Sequence, residues 1–384
     1  MKQFILALSI FGILLTACET KVDLNAPYAS KTVIYGLLDP VQDTQWVKIS
    51  KTFLGDGDNA EYAMIRDSSE YDFSEFKRLV VQEIVNNNVV AEFPLQEKEI
   101  SNKDINGVFY GPLQTVYYFV KGSQLNQNAS YKIIAEFYTR PTVTATTTLV
   151  QPSSISFTNM TPAQGVTIPM ASVVGINDFN YSTITRSFTP SQSAPFYEVS
   201  IKMRLTEKVY TDATHTSLVS STPKKVTYYA GSYTIDDISS SGRINYTIDG
   251  QSFFNLLGNN LRHDSNVVYE IGEYDPTNTP VPGTECFETT IAFGGEELYT
   301  FIQINTPSSG IVQERPTYTN VENGLGLWSS RSSKSISDIP LINTLPSIVP
   351  NQGNVYALRL GQYTNDINFC DPGNSVPDLI GSCD

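Results

Sequence analysis

The sequence is poor in the residues on which metal and thiol chemistry depend. Its 384 residues include two histidines, four cysteines and two tryptophans. So few histidines argue against a histidine-rich metal centre, and four cysteines are too few for a disulfide-dense scaffold. Charged residues make up only 17% of the chain and hydrophobic residues 40%. This is enough apolar material to build folded cores, which argues against long-range disorder.

Positive charge and long apolar runs are also scarce. Lys and Arg number 25 against 39 Asp and Glu, a formal net charge of −14. Because an acidic chain repels a phosphate backbone, this balance argues against a nucleic-acid partner. After the first 17 residues, no run approaches the roughly 18 apolar residues that a spanning helix needs. Any membrane attachment of the remaining chain therefore has to come from another source.

The common motifs of catalysis are absent. The sequence contains no Gly-x-Ser-x-Gly, no His-Glu-x-x-His and no phosphate-binding loop. Asp56 to Glu61 resembles the start of a calcium loop, but Ala60 and Glu61 break the EF-hand pattern. We therefore predict no catalytic residue, no cofactor and no metal site. The acidic segment from about 54 to 77 is interpreted as a long solvated loop and a candidate contact surface.

The first 17 residues have the pattern of a lipoprotein signal peptide. Lys2 supplies positive charge, and Phe4 to Leu15 is an apolar run too short to span a bilayer. The run ends in Leu15-Thr-Ala-Cys18, with small residues before a cysteine. We predict cleavage before Cys18 and lipid attachment to its thiol, which would anchor the protein to a membrane. Residues 18–30 are predicted to be a polar tether.

The spacing of apolar residues predicts a mainly β protein. Residues 31–150 contain about seven short strand patterns, which favour an immunoglobulin-like β-sandwich. Asn86-Asn-Asn88 is a hairpin signal between two of them. Leu125 precedes Tyr131 as in a tyrosine corner, so Tyr131 is predicted to be part of the core.

Residues 151–384 are predicted to form a second, larger β-rich domain with one short helix. The strand patterns in this part are Tyr197–Leu205, Val226–Ile235, Val267–Ile271, Thr289–Phe293 and Tyr299–Ile304. Gln251 to Leu261 has the apolar spacing of the helix.

Three cysteines remain after the predicted lipid site. Cys286, Cys370 and Cys383 are disulfide candidates, and their three possible pairings stay open. A bond from Cys370 to Cys383 would close a short loop, whereas either pairing with Cys286 would tie the C-terminal tail to the body of the domain. Neither histidine lies in a pattern that would activate a cysteine nucleophile.

The aromatic residues between 228 and 254 have two possible interpretations. Aromatic faces stack on sugars, so a carbohydrate platform is one interpretation. Core and interface packing is the alternative, and it is the one we favour for a β protein. The residues concerned are Tyr228, Tyr229, Tyr233, Tyr246, Phe253 and Phe254.

Four segments resemble a Bacteroidota outer-membrane lipoprotein family of unknown function, whose members are often encoded beside TonB-dependent receptors. They are Cys18 to Leu24, Val33 to Leu38, Trp46 to Ser50 and Tyr318 to Ser330. The resemblance implies a lipoprotein on the cell surface, anchored in the outer membrane, with a β-barrel receptor as its partner. It implies no catalytic residues.

These observations lead to three hypotheses of function. The first is a non-enzymatic accessory lipoprotein that binds a TonB-dependent receptor or that receptor's ligand. The second is an accessory subunit of an outer-membrane protein assembly or secretion complex. The third is a surface glycan-binding protein. The sequence identifies neither the partner nor a small-molecule or glycan ligand.

Overall fold

The computed structural model describes residues 29–54, 59–158, 168–175, 178–271, 286–306, 317–339, 353–371 and 381–382. It is 52% strand and 16% helix, which confirms the predicted mainly β class. The predicted signal peptide, Cys18 and most of the predicted tether lie outside the described residues, as does Cys383.

Eight strands form most of the N-terminal part. They are β1 Thr32–Leu38, β2 Thr44–Lys51, β3 Phe76–Val85, β4 Asn88–Pro94, β5 Gln96–Ser101, β6 Leu113–Val120, β7 Ser130–Phe137 and β8 Val143–Thr148. Buried and partly exposed residues alternate along β7, as expected of a strand with one face on a core. Asn86 and Asn87 join β3 to β4 with positive φ angles, which confirms the predicted hairpin.

The remaining strands and the helices are as follows. The strands are β9 Ser156–Thr158, β10 Ala171–Gly175, β11 Asp178–Tyr181, β12 Thr183–Thr189, β13 Phe196–Tyr210, β14 Leu218–Thr234, β15 Ile244–Asp249, β16 Val267–Ile271, β17 Phe287–Gly294, β18 Gly324–Ile339, β19 Asn368–Asp371 and β20 Gly381–Ser382. The helices are α1 Asn59–Ala63, α2 Arg66–Ser69, α3 Gly250–Asn260, α4 Glu296–Asn305 and α5 Gly353–Leu360.

The N-terminal part is a two-sheet sandwich that takes one strand from the far end of the chain. One layer is the run β18-β1-β2-β6-β5, which is one end of an 11-stranded sheet that continues through β17 and β13 into the second part, and the other layer is the sheet β4-β3-β7-β8. Their facing residues form one core cluster that includes Tyr117, Tyr131 and Trp328. Tyr131 is buried, as predicted, and its hydroxyl accepts from the backbone N–H of Asn126. The immunoglobulin-like arrangement stays a prediction.

The second part is built around β13. β14 pairs along one side of β13, while β17 and β16 share its other side. A smaller sheet, β15-β12-β9, and helix α3 contribute to the same core cluster. Helix α3 begins after Asp249, whose carboxylate accepts from the Ser252 N–H, and it confirms the predicted helix.

Strand β18 belongs to both parts. Its first half, Gly324–Ser330, pairs in parallel with β1, and its second half pairs antiparallel with β17. Since β1 and β18 run in the same direction, the second part attaches at the end of the sandwich opposite to the start of β1. The boundary predicted at residue 150 leaves this shared strand out of the sandwich.

Candidate functional site

The chain enters the sandwich at the end that carries its longest loops. β1 begins at Thr32, which pairs with Lys51 at the end of β2. Ser30 lies against this corner, and its hydroxyl donates to the Thr52 carbonyl at 2.7 Å. We call this end, to which the predicted tether leads, the tether end. It comprises residues 29–31, 52–54, 59–75, 102–112 and 138–142.

Tyr71 ties the segment 59–75 to both sheets. Its hydroxyl lies 2.8 Å from the Thr32 hydroxyl of β1. Its ring packs against Phe137 of β7, with 5.1 Å between ring centroids. The Lys51 ammonium lies over the same ring, 5.1 Å from its centroid. The segment therefore caps the sandwich core.

Glu70 is buried at the centre of a polar network in the same segment. Its carboxylate accepts from Lys48 Nζ at 2.8 Å and from Arg66 Nε at 3.0 Å. It also accepts from the Thr115 hydroxyl at 2.9 Å. Arg66 makes a further ion pair with Glu99 at 2.7 Å. The network joins β2, β5, β6 and α2, so it holds the long segment in place.

The charges of this network change the pKa values of its members. Burial acts to raise the pKa of Glu70, but the Lys48 hydrogen bond and charge, with Thr115 and Arg66, outweigh it and hold that pKa below its usual range. Burial lowers the pKa of Lys48 by more than its contact with Glu70 raises it. The free-energy cost of desolvating the Lys48 ammonium therefore offsets part of the stabilisation that the charged Glu70 carboxylate gains from their contact.

The tether end exposes a set of large apolar side chains beside its charged ones. Two adjacent loops meet there, since Tyr110 N–H donates to the Ala63 carbonyl at 2.9 Å. Around this contact, exposed large side chains come from both loops and from the turn after β7. They are Met64, Ile65, Ile105, Val108, Phe109 and Tyr138, each at least half exposed. We call these six residues the apolar rim.

The predicted acidic contact loop is thus only partly solvated. Asp56 and Asp58, the start of the calcium-like pattern, lie outside the described residues. Asp72 accepts from the Ser74 N–H at 2.8 Å and caps a short turn. Within the described residues, no group of three His, Cys, Asp or Glu side chains is placed to hold a metal ion.

A recess lies in the β-rich part. It has a volume of about 450 Å³ and is lined by uncharged side chains from β11, α3, α5 and the turn that follows α5. The Gln251 amide donates to the Tyr363 hydroxyl at 2.8 Å, and the Tyr363 ring packs against Tyr181. The lining residues, which we call the amide groove, are Phe179, Asn180, Tyr181, Gln251, Leu360, Gln362 and Asn365.

The aromatic residues predicted between 228 and 254 do not form one platform. Tyr246, Phe253 and Phe254 are buried in the core of the second part. Tyr228 packs against that core, and its hydroxyl accepts from the Asp249 N–H at 3.2 Å. Tyr229 is exposed. Core packing therefore accounts for most of the set, as we favoured.

Two of the three disulfide candidates, Cys286 and Cys370, lie within the described residues. Cys286 is a buried thiol. Cys370 is disulfide-bonded. The pairing of Cys370 with Cys383 stays a prediction. Cys286 is buried between strands of an apolar core, where a small side chain packs well.

Sequence reasoning missed the amide groove and the part of the apolar rim outside the segment 54–77, because neither surface is local. The amide groove draws its residues from three separate stretches of the chain. The loop 102–112 carried one usable signal: Ile105, Val108 and Phe109 stand among Asn and Gly residues, where turns favour polar side chains. Its position beside α1 depends on the pairing of β5 with β6, which local sequence does not specify.

No protein-family model matches the chain, and no curated protein is similar to it. Within the described residues, no helix is both long and apolar enough to span a membrane.

Proposed function

We propose that the protein is a non-enzymatic accessory lipoprotein, anchored in the outer membrane and facing the cell surface, that works with a β-barrel receptor of the TonB-dependent class. The observation that carries the proposal is the sequence Leu15-Thr-Ala-Cys18 at the end of an apolar run. A cysteine in that context is a substrate for lipid attachment. Acyl chains on Cys18 hold a folded domain at a bilayer.

The arrangement of the two parts supports this proposal. The predicted tether leads into one end of the sandwich, and the β-rich part attaches through β18 at the other. A tether of about a dozen residues keeps the β-rich part near any partner in the same membrane, which raises its effective concentration there.

The anchor is tested by comparing two cysteine variants in the native membrane. Cys18→Ala removes the predicted lipid site, whereas Cys286→Ala removes a buried thiol and serves as the matched control. Radiolabelled palmitate should enter the wild type and Cys286→Ala but not Cys18→Ala, and only Cys18→Ala should leave the membrane fraction. Retention and labelling of Cys18→Ala would refute the anchor.

The partner is tested by purifying the tagged, lipidated protein in mild detergent and identifying co-purified proteins by mass spectrometry. We expect one TonB-dependent receptor in a stoichiometric amount. Recovery of a barrel-assembly or secretion core would replace this proposal with the second hypothesis, an accessory subunit of that machine. Recovery of neither would refute a barrel partner.

The amide groove favours a second candidate function, the binding of a surface glycan. Carboxamides and aromatic rings without charge suit the hydroxyl groups and apolar faces of a neutral sugar. Gln362→Ala and Asn365→Ala should each weaken binding in a glycan panel at least tenfold, whereas Gln124→Ala, at an exposed position of the sandwich, should not. Absence of binding to any glycan by the wild type would remove this candidate.

A further inference from the structure

We propose that the apolar rim of the tether end rests in the interfacial layer of the bilayer that holds the lipid anchor. This inference rests on the proposed lipidation of Cys18 and adds a second membrane contact made by the folded domain. The occupant of the rim is therefore a lipid surface. The rim consists of Met64, Ile65, Ile105, Val108, Phe109 and Tyr138.

The rim lies where the chain must leave for the membrane. Ser30 and Lys31 bond to Thr52, at the start of the segment that carries Met64 and Ile65. The chain from Cys18 to Ala29 has eleven peptide links and spans at most about 40 Å when fully extended. A lipid on Cys18 therefore keeps this end within that distance of the bilayer.

The rim is built from two loops that are hydrogen-bonded to each other and from the turn after β7. Tyr110 N–H donates to the Ala63 carbonyl at 2.9 Å, which joins the loop 102–112 to the end of α1. The Arg66 guanidinium lies 5.9 Å from the centroid of the Tyr110 ring. Tyr138 follows β7, and its N–H donates to the Glu75 carbonyl at 3.3 Å. The exposed apolar side chains are thus carried by fixed backbone.

The tether end is slightly acidic, with six carboxylates and four basic side chains, and several of these charges are engaged within the protein. Lys103 is followed by Asp104, and its ammonium donates to the Tyr110 carbonyl at 3.0 Å. Arg66 is held by Glu70 and Glu99. Anionic headgroups therefore contribute little to the binding of this surface to a bilayer. Binding is favoured by the transfer of the apolar side chains out of water, and Tyr138 is a residue type that suits the membrane–water interface.

The test uses the full lipidated protein in phosphatidylethanolamine–phosphatidylglycerol vesicles. An added, exposed cysteine at position 105 or 109 (Ile105→Cys or Phe109→Cys) carries an environment-sensitive fluorophore. The matched control is Val90→Cys in the β3–β4 hairpin, an exposed apolar position at the opposite end of the sandwich. Lipids with a nitroxide near the headgroup serve as quenchers, and circular dichroism verifies that each variant is folded.

We expect the fluorophores at 105 and 109 to be quenched at least threefold more than the fluorophore at 90. Equal, weak quenching at all three positions in protein that floats with the vesicles would overturn the inference and assign the rim to a protein partner. Failure of the wild type to float with the vesicles would refute the anchor and, with it, the inference.

Discussion

Glu70 illustrates how one side chain can hold a long loop on a small sandwich. Sequence reasoning placed it among solvated acids, because its neighbours Asp67 and Asp72 are acidic and no local pattern marks it as buried. Its burial depends on Lys48 and Thr115, which lie on strands distant in sequence. Such a network becomes visible only after the strands are paired.

Replacing Glu70 by Gln should destabilise the protein by about 2 kcal/mol, because Lys48 and Arg66 would lose their common counter-charge in a partly buried site. The matched control is Glu92→Gln, which breaks the exposed pair of Arg78 and Glu92 and should cost about 0.5 kcal/mol. Urea unfolding at pH 7 measures both. Equal losses for the two variants would contradict the role of Glu70.

The stability of the protein should fall in acid, and Glu70 should contribute to that fall. Its pKa is held below the usual glutamate value of 4.5 in the folded protein, so the unfolded chain binds the proton more readily. The stabilisation is present above the unfolded pKa and is lost as pH decreases through the folded pKa. Urea midpoints between pH 6 and pH 3 should decline less steeply in Glu70→Gln than in the wild type.

At the scale of elements, local signals predicted the hairpin and helix α3 but failed at α4. Tyr299 to Ile304 reads as a strand, since Tyr, Thr, Phe and Ile all favour strands. The segment is helical, and it begins after Gly295 with Glu296 and Glu297 in its first turn. Packing of α4 against β18 overrides the local preference.

Strand β18 begins in the segment Tyr318 to Ser330, which resembles part of a lipoprotein family, and its glycines have a specific role. Gly326 has φ +111°, and a Cβ at this position would lie 2.0 Å from the Ile34 carbonyl oxygen. The close approach of β1 and β18 therefore requires glycine. The pairing of residues almost three hundred positions apart has no local sequence signal.

Gly326→Ala should weaken the β1–β18 pairing and cost about 3 kcal/mol, from backbone strain together with the steric conflict. Gly122→Ala is the matched control, because Gly122 also has a positive φ but faces open space. It should cost about 1 kcal/mol from strain alone. Thermal unfolding of both variants measures the difference, and an equal shift in Tm would refute the steric explanation.

At the scale of the whole molecule, the shared strand makes the two parts mechanically dependent. The mainly β class was predictable from composition and apolar spacing. The return of Gly324–Ser330 to the first sheet was not predictable, because turn signals near residue 150 do not reveal it. Trp328 is fully buried in the sandwich core, and its indole N–H donates to the Tyr131 carbonyl at 2.9 Å.

The two parts should therefore unfold together. Trp46→Phe leaves Trp328 as the one tryptophan, so its fluorescence reports on the sandwich, while far-UV circular dichroism reports on all strands. Because β18 pairs with β1 and β17, the two probes should give the same urea midpoint. Two separated transitions would show that the parts are independent.

The position of Trp328 in the sequence also has a consequence for export. If the leader directs the N-terminus across the inner membrane first, residues 31–150 emerge long before β18 does. The strands that emerge first are then in the periplasm without β18, the parallel partner of β1, and without Trp328, which fills their core. The edge of β1 that pairs with β18 stays unpaired until nearly the whole chain has crossed, and unpaired strand edges tend to pair with other chains. Periplasmic chaperones should accordingly be needed most while the N-terminal sandwich, although made first, is still incomplete.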